Sequence, residues 1–329
     1  MSSSAIQFGS TNVTLQGAAA FKNKIINGNF DIWQRAVSHS TAGYGSDDRW
    51  NLTFVGSSAT NSRQTFTLGQ TDVPNNPQYF KRIVATSVAG SGNLVANQQR
   101  IEGVRTFSGQ TVTLSFWAKA DASKNMAVEF SQSFGTGGSP SSSITGIGVT
   151  TCSLTTSWKK FTITTTIPSI SGKTLGTNNN DFIEIIFWFD AGSSFNSRTN
   201  SLGQQSGTFD IAQVQLEEGT ISTPFENRPV GIELQLCQRY YQQAVGQGGT
   251  LARIYNNGAS SGLVSLNVFF KQTMRSIPSS ISGVYDINDG TGQNFSSAGN
   301  PNQDSFVLTV TIPSGQFLDL QSYTASAEL

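Results

Sequence analysis

The sequence predicts an all-β protein: an antiparallel β-sandwich, followed by a short linking helix and a small C-terminal β unit. Apolar residues recur at every second position in many short runs, the period of a strand with one face buried. The clearest run is 111–119, where Val112, Leu114, Phe116 and Ala118 share one face and Thr113, Ser115, Trp117 and Lys119 the other. Loops rich in Gly, Ser and Asn, notably 135–143 and 191–206, separate the runs, and no helical pattern intervenes. Charged residues make up only 12% of the 329, about half the usual share, and 33 glycines suit a chain of short strands and turns.

Residues 1–21 read as an N-terminal arm, in which Ile6 and Phe8, then Val13 and Leu15, alternate like a short strand. Two states fit it: a frayed terminus, or an attachment and oligomerisation arm ordered only against another chain. Ala18, Ala19, Ala20 and Phe21 suit free solvent poorly and favour the second.

The β-sandwich is expected over 22–228. Ile25 to Phe30 reads as a strand broken at Gly28 and resuming at Ile32 and Trp33; Trp50, Leu52 and Phe54 begin the next run. Further strands are expected at 158–167 and 182–190. In the latter, Ile183, Ile185, Phe187 and Phe189 line one face, and Phe182, Glu184, Ile186 and Trp188 the other. Phe209, Ile211, Val214 and Leu216 keep strand spacing with one break in register, the mark of a bulge.

A linking helix is expected over 229–249, opened by Pro229, whose fixed φ suits a first turn, and closed by Gly246, Gly248 and Gly249. Ile232, Leu236, Tyr240 and Ala244 form its buried row, with Cys237 beside them. In the C-terminal unit, 250–329, strands are expected at 251–255, 263–270, 280–285, 306–312 and 316–323, with an exposed loop at 291–304.

Several function classes are disfavoured. Net charge is zero, so there is no basic footprint for nucleic acid or an anionic membrane. No apolar run is long enough to insert in a membrane as a helix, and the first residues lack the pattern of a secretory signal. Cys152 and Cys237 are too few for a disulfide framework and read as free thiols, in keeping with synthesis in a reducing cytoplasm. His39 is the only histidine, which removes most zinc-hydrolase and Ser-His catalytic arrangements. Acidic residues such as Glu102, Asp121, Glu129, Glu184 and Asp190 show no spacing that selects a glycosidase pair. The expectation is a protein that is not an enzyme.

Two motifs flank Pro229: TPFE-x-RP at 223–229 and EL-x-LCQRYY at 233–241. Together they resemble a recurring signature of tail-fibre and other tail-associated virion proteins of bacteriophages and prophages. The same family tends to carry segments like IINGNFDIWQR at 25–35, a D-R-W triplet (Asp48, Arg49, Trp50), QRIEGVRTFSGQTVTLSFWAKA at 99–120, and M-R-x-x-P at 274–278. The matches fall in the right order over most of 24–278. The resemblance implies a structural component of the virion, a tail fibre or baseplate-proximal protein. It further implies a homotrimer, tail or baseplate proteins as partners, and a host-surface glycan as ligand. A capsid decoration protein and a polysaccharide depolymerase are the alternatives. The segment order also resembles carbohydrate-binding jelly rolls, in which an N-G-x-F start lies beside a late D-I-x-x-V-x-L strand.

Sugar recognition needs an aromatic face flanked by polar groups that satisfy hydroxyls. Trp117, Lys119, Glu184 and Trp188 fall together on one face if their strands share a sheet; in the opposing reading both tryptophans are core. Trp33, Trp50 and Trp158, at strand ends beside apolar neighbours, read as structural, and Arg49 and Arg100 as loop anchors. In the jelly-roll pattern Asp31 and Asp210 hold equivalent positions on the first and last strands. Neighbouring strands there would bring them together as ligands of a structural Ca²⁺, with two ordinary solvated acids as the other reading.

Overall fold

A computed structural model describes residues 6–8, 11–13, 21–246, 249–288, 290–296 and 299–329. It divides into two compact units: 1–30, 40–43 and 51–227 form the first, and 31–39, 44–50 and 228–329 the second. On the C-terminal side the division falls between 227 and 228. Residues 31–39 and 44–50, however, sit with the second unit and not with the sandwich they precede.

The first unit opens with β1 (Ile6–Phe8) and β2 (Thr11–Val13), an antiparallel pair. Most of the expected arm lies outside the described residues. The sandwich comprises β4 (Asn51–Val55), β5 (Ser58–Thr65), β6 (Tyr79–Thr86), β7 (Leu94–Glu102), β8 (Thr111–Ala120), β9 (Lys124–Ser133), β10 (Ile144–Leu154), β11 (Lys159–Thr166), β12 (Phe182–Ala191) and β13 (Gly207–Glu218). One sheet runs β10-β9-β12-β7-β4, the other β11-β8-β13-β6-β5, with every ladder antiparallel. The alternation in the sequence decides what lies between them. Val112, Leu114, Phe116 and Ala118 of β8 and Ile183, Ile185, Phe187 and Phe189 of β12 are all buried. Phe116 meets Phe187 edge-on at 5.1 Å. The interior also holds a polar tie between the sheets, Lys81 Nζ donating to Asn97 Oδ1 at 2.5 Å. The bulge read from the sequence is present as a register shift between Ala212 and Gln215, with Gln213 at φ +48°.

The expected first strand is not one. Residues 25–30 form turns, with Asn27 at φ +57° and Phe30 at +58°, even though Ile25 and Phe30 are fully buried. The segment lies along β13 through single contacts, Lys24 N to Leu216 O and Val214 N to Gly28 O. A Cβ on Gly28 would stand 2.1 Å from the Val214 carbonyl oxygen, so this approach is open only to glycine. An apolar pattern here marks burial, while the backbone bonds go elsewhere.

The second unit contains β3 (Ser38–His39), α2 (Val230–Gln238), β14 (Tyr241–Val245), β15 (Ala252–Tyr255), β16 (Gly262–Phe269), β17 (Ser280–Asp286), β18 (Gln293–Phe295), β19 (Ser305–Ile312) and β20 (Phe317–Ser326). Its main sheet runs β14-β20-β17-β18, with β15 also on β20, and β16 pairs with β19. Met274, Phe306, Ile312, Leu318 and Leu320 form its core. The helix is shorter than expected. It stops at Gln238, and Tyr241 to Val245 instead pairs with β20. Ile232, the first residue of the expected row, is 36% exposed, whereas Cys237 is fully buried. Only the helix end is covered, and the ladder on β20 supplies the next residues with partners a continued helix would have drawn from itself.

This unit also brings residues far apart in the sequence into contact. Arg49 of the D-R-W triplet is buried, with its guanidinium 3.4 Å over the Tyr240 ring, and pairs with Glu328. Arg35 stands 3.7 Å over Tyr241 and reaches Glu328 at 3.1 Å and Asp48 at 3.7 Å. Gln34 Nε2 donates to the Tyr241 carbonyl at 3.0 Å, and its backbone N–H to Asp48 at 3.2 Å. Burial pushes the Asp48 carboxyl up to about 7, against the lowering effect of the Gln34 hydrogen bonds and the Arg35 charge.

Candidate functional site

The four residues expected to share a sugar-binding face do not. Trp117 and Lys119 are on β8, Glu184 and Trp188 on β12, in opposite sheets. Since Phe116 and Phe187 meet inside the sandwich, their neighbours Trp117 and Trp188 project from the two outer faces.

On the β12 side the outer face is closed. A one-turn helix, α1 (Asn196–Thr199), and the segment around it lay Phe195 and Leu202 against Ile186 and Trp188. Trp188 is 3% exposed; its ring lies 5.2 Å from Phe195, and Nε1 donates to Glu129 Oε1 at 3.2 Å. Arg198 caps the ring at 5.0 Å and donates to the same carboxylate through Nε at 2.8 Å. Glu184 is equally engaged, by Arg100 Nε at 2.9 Å and Ser131 Oγ at 3.3 Å. Trp188 is a core residue and Glu184 half of an ion pair; Arg100, expected to anchor a loop, instead pairs with it across adjacent strands.

On the β8 side the outer face stays open in part. Antiparallel register sets Trp117 between Lys160 of β11 and Ala212 of β13. Ala212, Val73 and Phe80 are buried beneath Phe66, Trp117 and Trp158, an aromatic cluster in which Phe66, Phe80 and Trp158 lie 4.7–5.3 Å apart. Trp158 is half-buried in this cluster, its ring edge-on to Phe80 at 5.3 Å. Trp117, at its margin, remains partly exposed and lines a pocket of about 360 Å³ with Asn75, Lys160, Gln213 and Phe225.

The pocket walls come from chain features that periodicity does not reveal. The bulge turns Gln213 toward the loop after β5, where its Nε2 donates to Pro74 O at 2.7 Å. That loop is held by Asn75 and Asn76 in the left-handed region, which asparagine tolerates. The opposite wall is the TPFE motif. Thr223 donates from N at 2.8 Å and Oγ1 at 2.7 Å to the buried Glu217 carboxylate. Glu226 N donates to Gln215 Oε1 at 2.8 Å, and the Glu226 carboxylate receives the N–H groups of Phe21 and Asn23 at 2.6 and 2.9 Å. These bonds hold Pro224 and Phe225 over the sheet. Lys160, Gln213, Asn75 and Phe225 were absent from the expected site, and the TPFE motif was read only as part of a family resemblance, not as a wall.

Two residues further along β8, Lys119 and Arg82 flank a second concavity with Asp121 and Asp210. Asp210 receives both Arg82 Nε, at 2.7 Å, and Nη2, at 2.9 Å, with Lys119 at 3.8 Å. Lys119 also lies 5.2 Å over the Trp158 ring. Both oxygens of Asp210, one of the two residues of the expected calcium pair, thus receive a guanidinium. Asp31 belongs to the other compact unit. Among the described residues no group of three or more His, Cys, Asp or Glu forms a metal-holding cluster. Both cysteines are buried free thiols, and burial pushes Cys152 up to about 12.

No family model matches the chain, and no curated protein matches it by sequence. Among solved structures, the chain has counterparts of low similarity. One is a CBM4 protein, 17% identical, covering 59% of this chain and 98% of its own, at a TM-score of 0.32. Another is the enzymatically active domain of bacteriophage CBA120 tailspike protein 4, 14% identical, covering 60% of this chain but 22% of its own, at a TM-score of 0.36. A third is the family 11 carbohydrate-binding module of Clostridium thermocellum in complex with a β-1,3-1,4-mixed-linked tetrasaccharide. It is 11% identical and covers 56% of this chain and 98% of its own, at a TM-score of 0.32.

Proposed function

We propose that the first unit is a non-catalytic glycan-binding module, with its ligand seated against Trp117 on the open outer face of the β8 sheet. The observation that carries this reading is the half-buried Trp117 ring in a concave pocket whose other walls supply two carboxamides, a lysine and hydroxyls. An indole face covers the apolar C–H side of a pyranose, and Asn75, Gln213 and Lys160 can satisfy its hydroxyls. On the strength of the motif segments at 25–35, 48–50, 99–120 and 223–241, we place the module in a phage tail, as a homotrimeric fibre or baseplate-proximal protein attaching to the host surface.

Trp117→Ala should weaken binding to host-cell surface polysaccharide roughly ten- to a hundredfold, the value of about 1–3 kcal/mol for one aromatic stacking contact. Its melting should stay near that of the parent. Unchanged affinity would remove the site from this face. Labelling the protein on intact virions tests the tail assignment: label on the capsid would refute it. Sustained release of reducing sugar by the pure protein would refute the non-catalytic reading.

A further inference from the structure

We infer that the Trp117 pocket selects a glycan carrying an anionic substituent, held by Lys160. This rests on the reading of the pocket as a glycan site and adds the charge class of its ligand.

Register fixes Lys160 directly across from Trp117, so its ammonium is presented at the side of the ring. Among the described residues its one hydrogen bond goes to Ser222 Oγ at 2.9 Å, and it has no carboxylate partner. Among the described residues it is the one charged group lining this pocket. The nearby cations are arranged otherwise: Arg82 and Lys119 share Asp210, and Lys124 stands 3.9 Å from Asp121. The carboxylate beside the pocket, Glu217, is buried and takes three hydrogen bonds from Thr223 and Gln215. It lies under the TPFE wall and does not compete for Lys160. Across that wall Lys22 donates to Thr223 Oγ1 and, at 3.0 Å, to Pro224 O, adding a second positive charge behind the pocket rim. An anion entering beside Trp117 therefore meets an ammonium whose charge no side chain has already neutralised. A neutral sugar would gain only the stacking contact and ordinary hydrogen bonds. Charge-assisted hydrogen bonds are about twice as strong as neutral ones, which makes the substituent's charge a selection criterion.

The test uses the full chain with two matched polymer pairs: polygalacturonate against its carboxyl-reduced galactan, and dextran sulfate against dextran. Affinities are measured at low and at about 0.15 M salt, where the screening length is near 8 Å. One anionic polymer should bind at least tenfold more tightly than its neutral parent, and the pair showing this identifies carboxylate or sulfate as the anion. Lys160→Met should abolish the preference, and Trp117→Ala should weaken both members of the pair. Equal binding of charged and neutral polymers, or a preference that survives Lys160→Met, overturns the charge assignment while a Trp117-dependent site remains. Binding that ignores Trp117→Ala, or binding of none of the four polymers, overturns the inference; the first result also refutes the site itself.

Discussion

Trp188→Ala separates the two outer faces most sharply. The ring sits at 3% exposure among Leu94, Ala96, Ala127 and Ile186, closed over by Phe195 and Leu202. Truncation removes its apolar burial and leaves a cavity that the paired strands β9 and β12 cannot collapse, a loss of about 3–5 kcal/mol. It also removes the Nε1 donor to Glu129, although Arg198 and the Gly146 N–H, at 2.7 Å, still hold that carboxylate. In a unit of this size about 1 kcal/mol corresponds to roughly 2–4 °C, so its calorimetric transition should fall by about 6–20 °C. Trp188→Phe retains most of the apolar volume and loses the donor, so its cost should be about 1.5–3 kcal/mol, the value of a hydrogen bond to a charged group. Glycan binding per folded molecule should be unchanged in both. A Trp188→Ala protein that melts within about 1 kcal/mol of the parent would refute the closed-face packing. Lost binding with unchanged melting would restore Trp188 to a ligand site.

Three further outcomes are expected. Because Asp48 titrates higher in the folded unit, at about 7, than in the unfolded chain, the folded state binds its proton more tightly. Its contribution is therefore most favourable below about pH 4 and is lost as pH rises through about 7, by an upper limit of roughly 4 kcal/mol. The melting difference between Asp48→Asn and the parent should track that window, and a pH-independent difference would contradict it. Glu328→Ala removes the carboxylate shared by Arg49 and Arg35 and should cost the second unit about 3–5 kcal/mol, read as an earlier transition in calorimetry; an unchanged scan would refute the clasp. A fragment of residues 228–329 alone should lack a cooperative transition, because 31–39 and 44–50 belong to its compact unit. A sharp melt from that fragment would show these segments to be dispensable.

Local alternation determined a good deal of this protein without the structure. It placed β8, β12 and five C-terminal strands to within a few residues, because a period of two with bulky apolar residues has one economical solution, a strand with one face buried. It also marked the β13 bulge, since a single extra residue breaks that period visibly. What alternation cannot encode is which strands become neighbours. Trp117 and Trp188 each fall on the face opposite an apolar row, Trp188 with the more apolar neighbours; pairing put β8 and β12 in different sheets, and a covering segment of low hydropathy closed one face and left the other open. Residues 25–30 look like a strand because they are buried, yet backbone partners set at a distance of nearly 190 residues gave them turns. Tyr241 to Val245 continues a helical row in the sequence, yet β20 captures it as a strand. The pocket itself joins a bulge, an Asn-rich loop and the TPFE segment through hydrogen bonds between residues far apart in the chain. Such bonds leave no period to read, so the tertiary structure alone decided where Lys160, Asn75, Gln213 and Phe225 would meet Trp117.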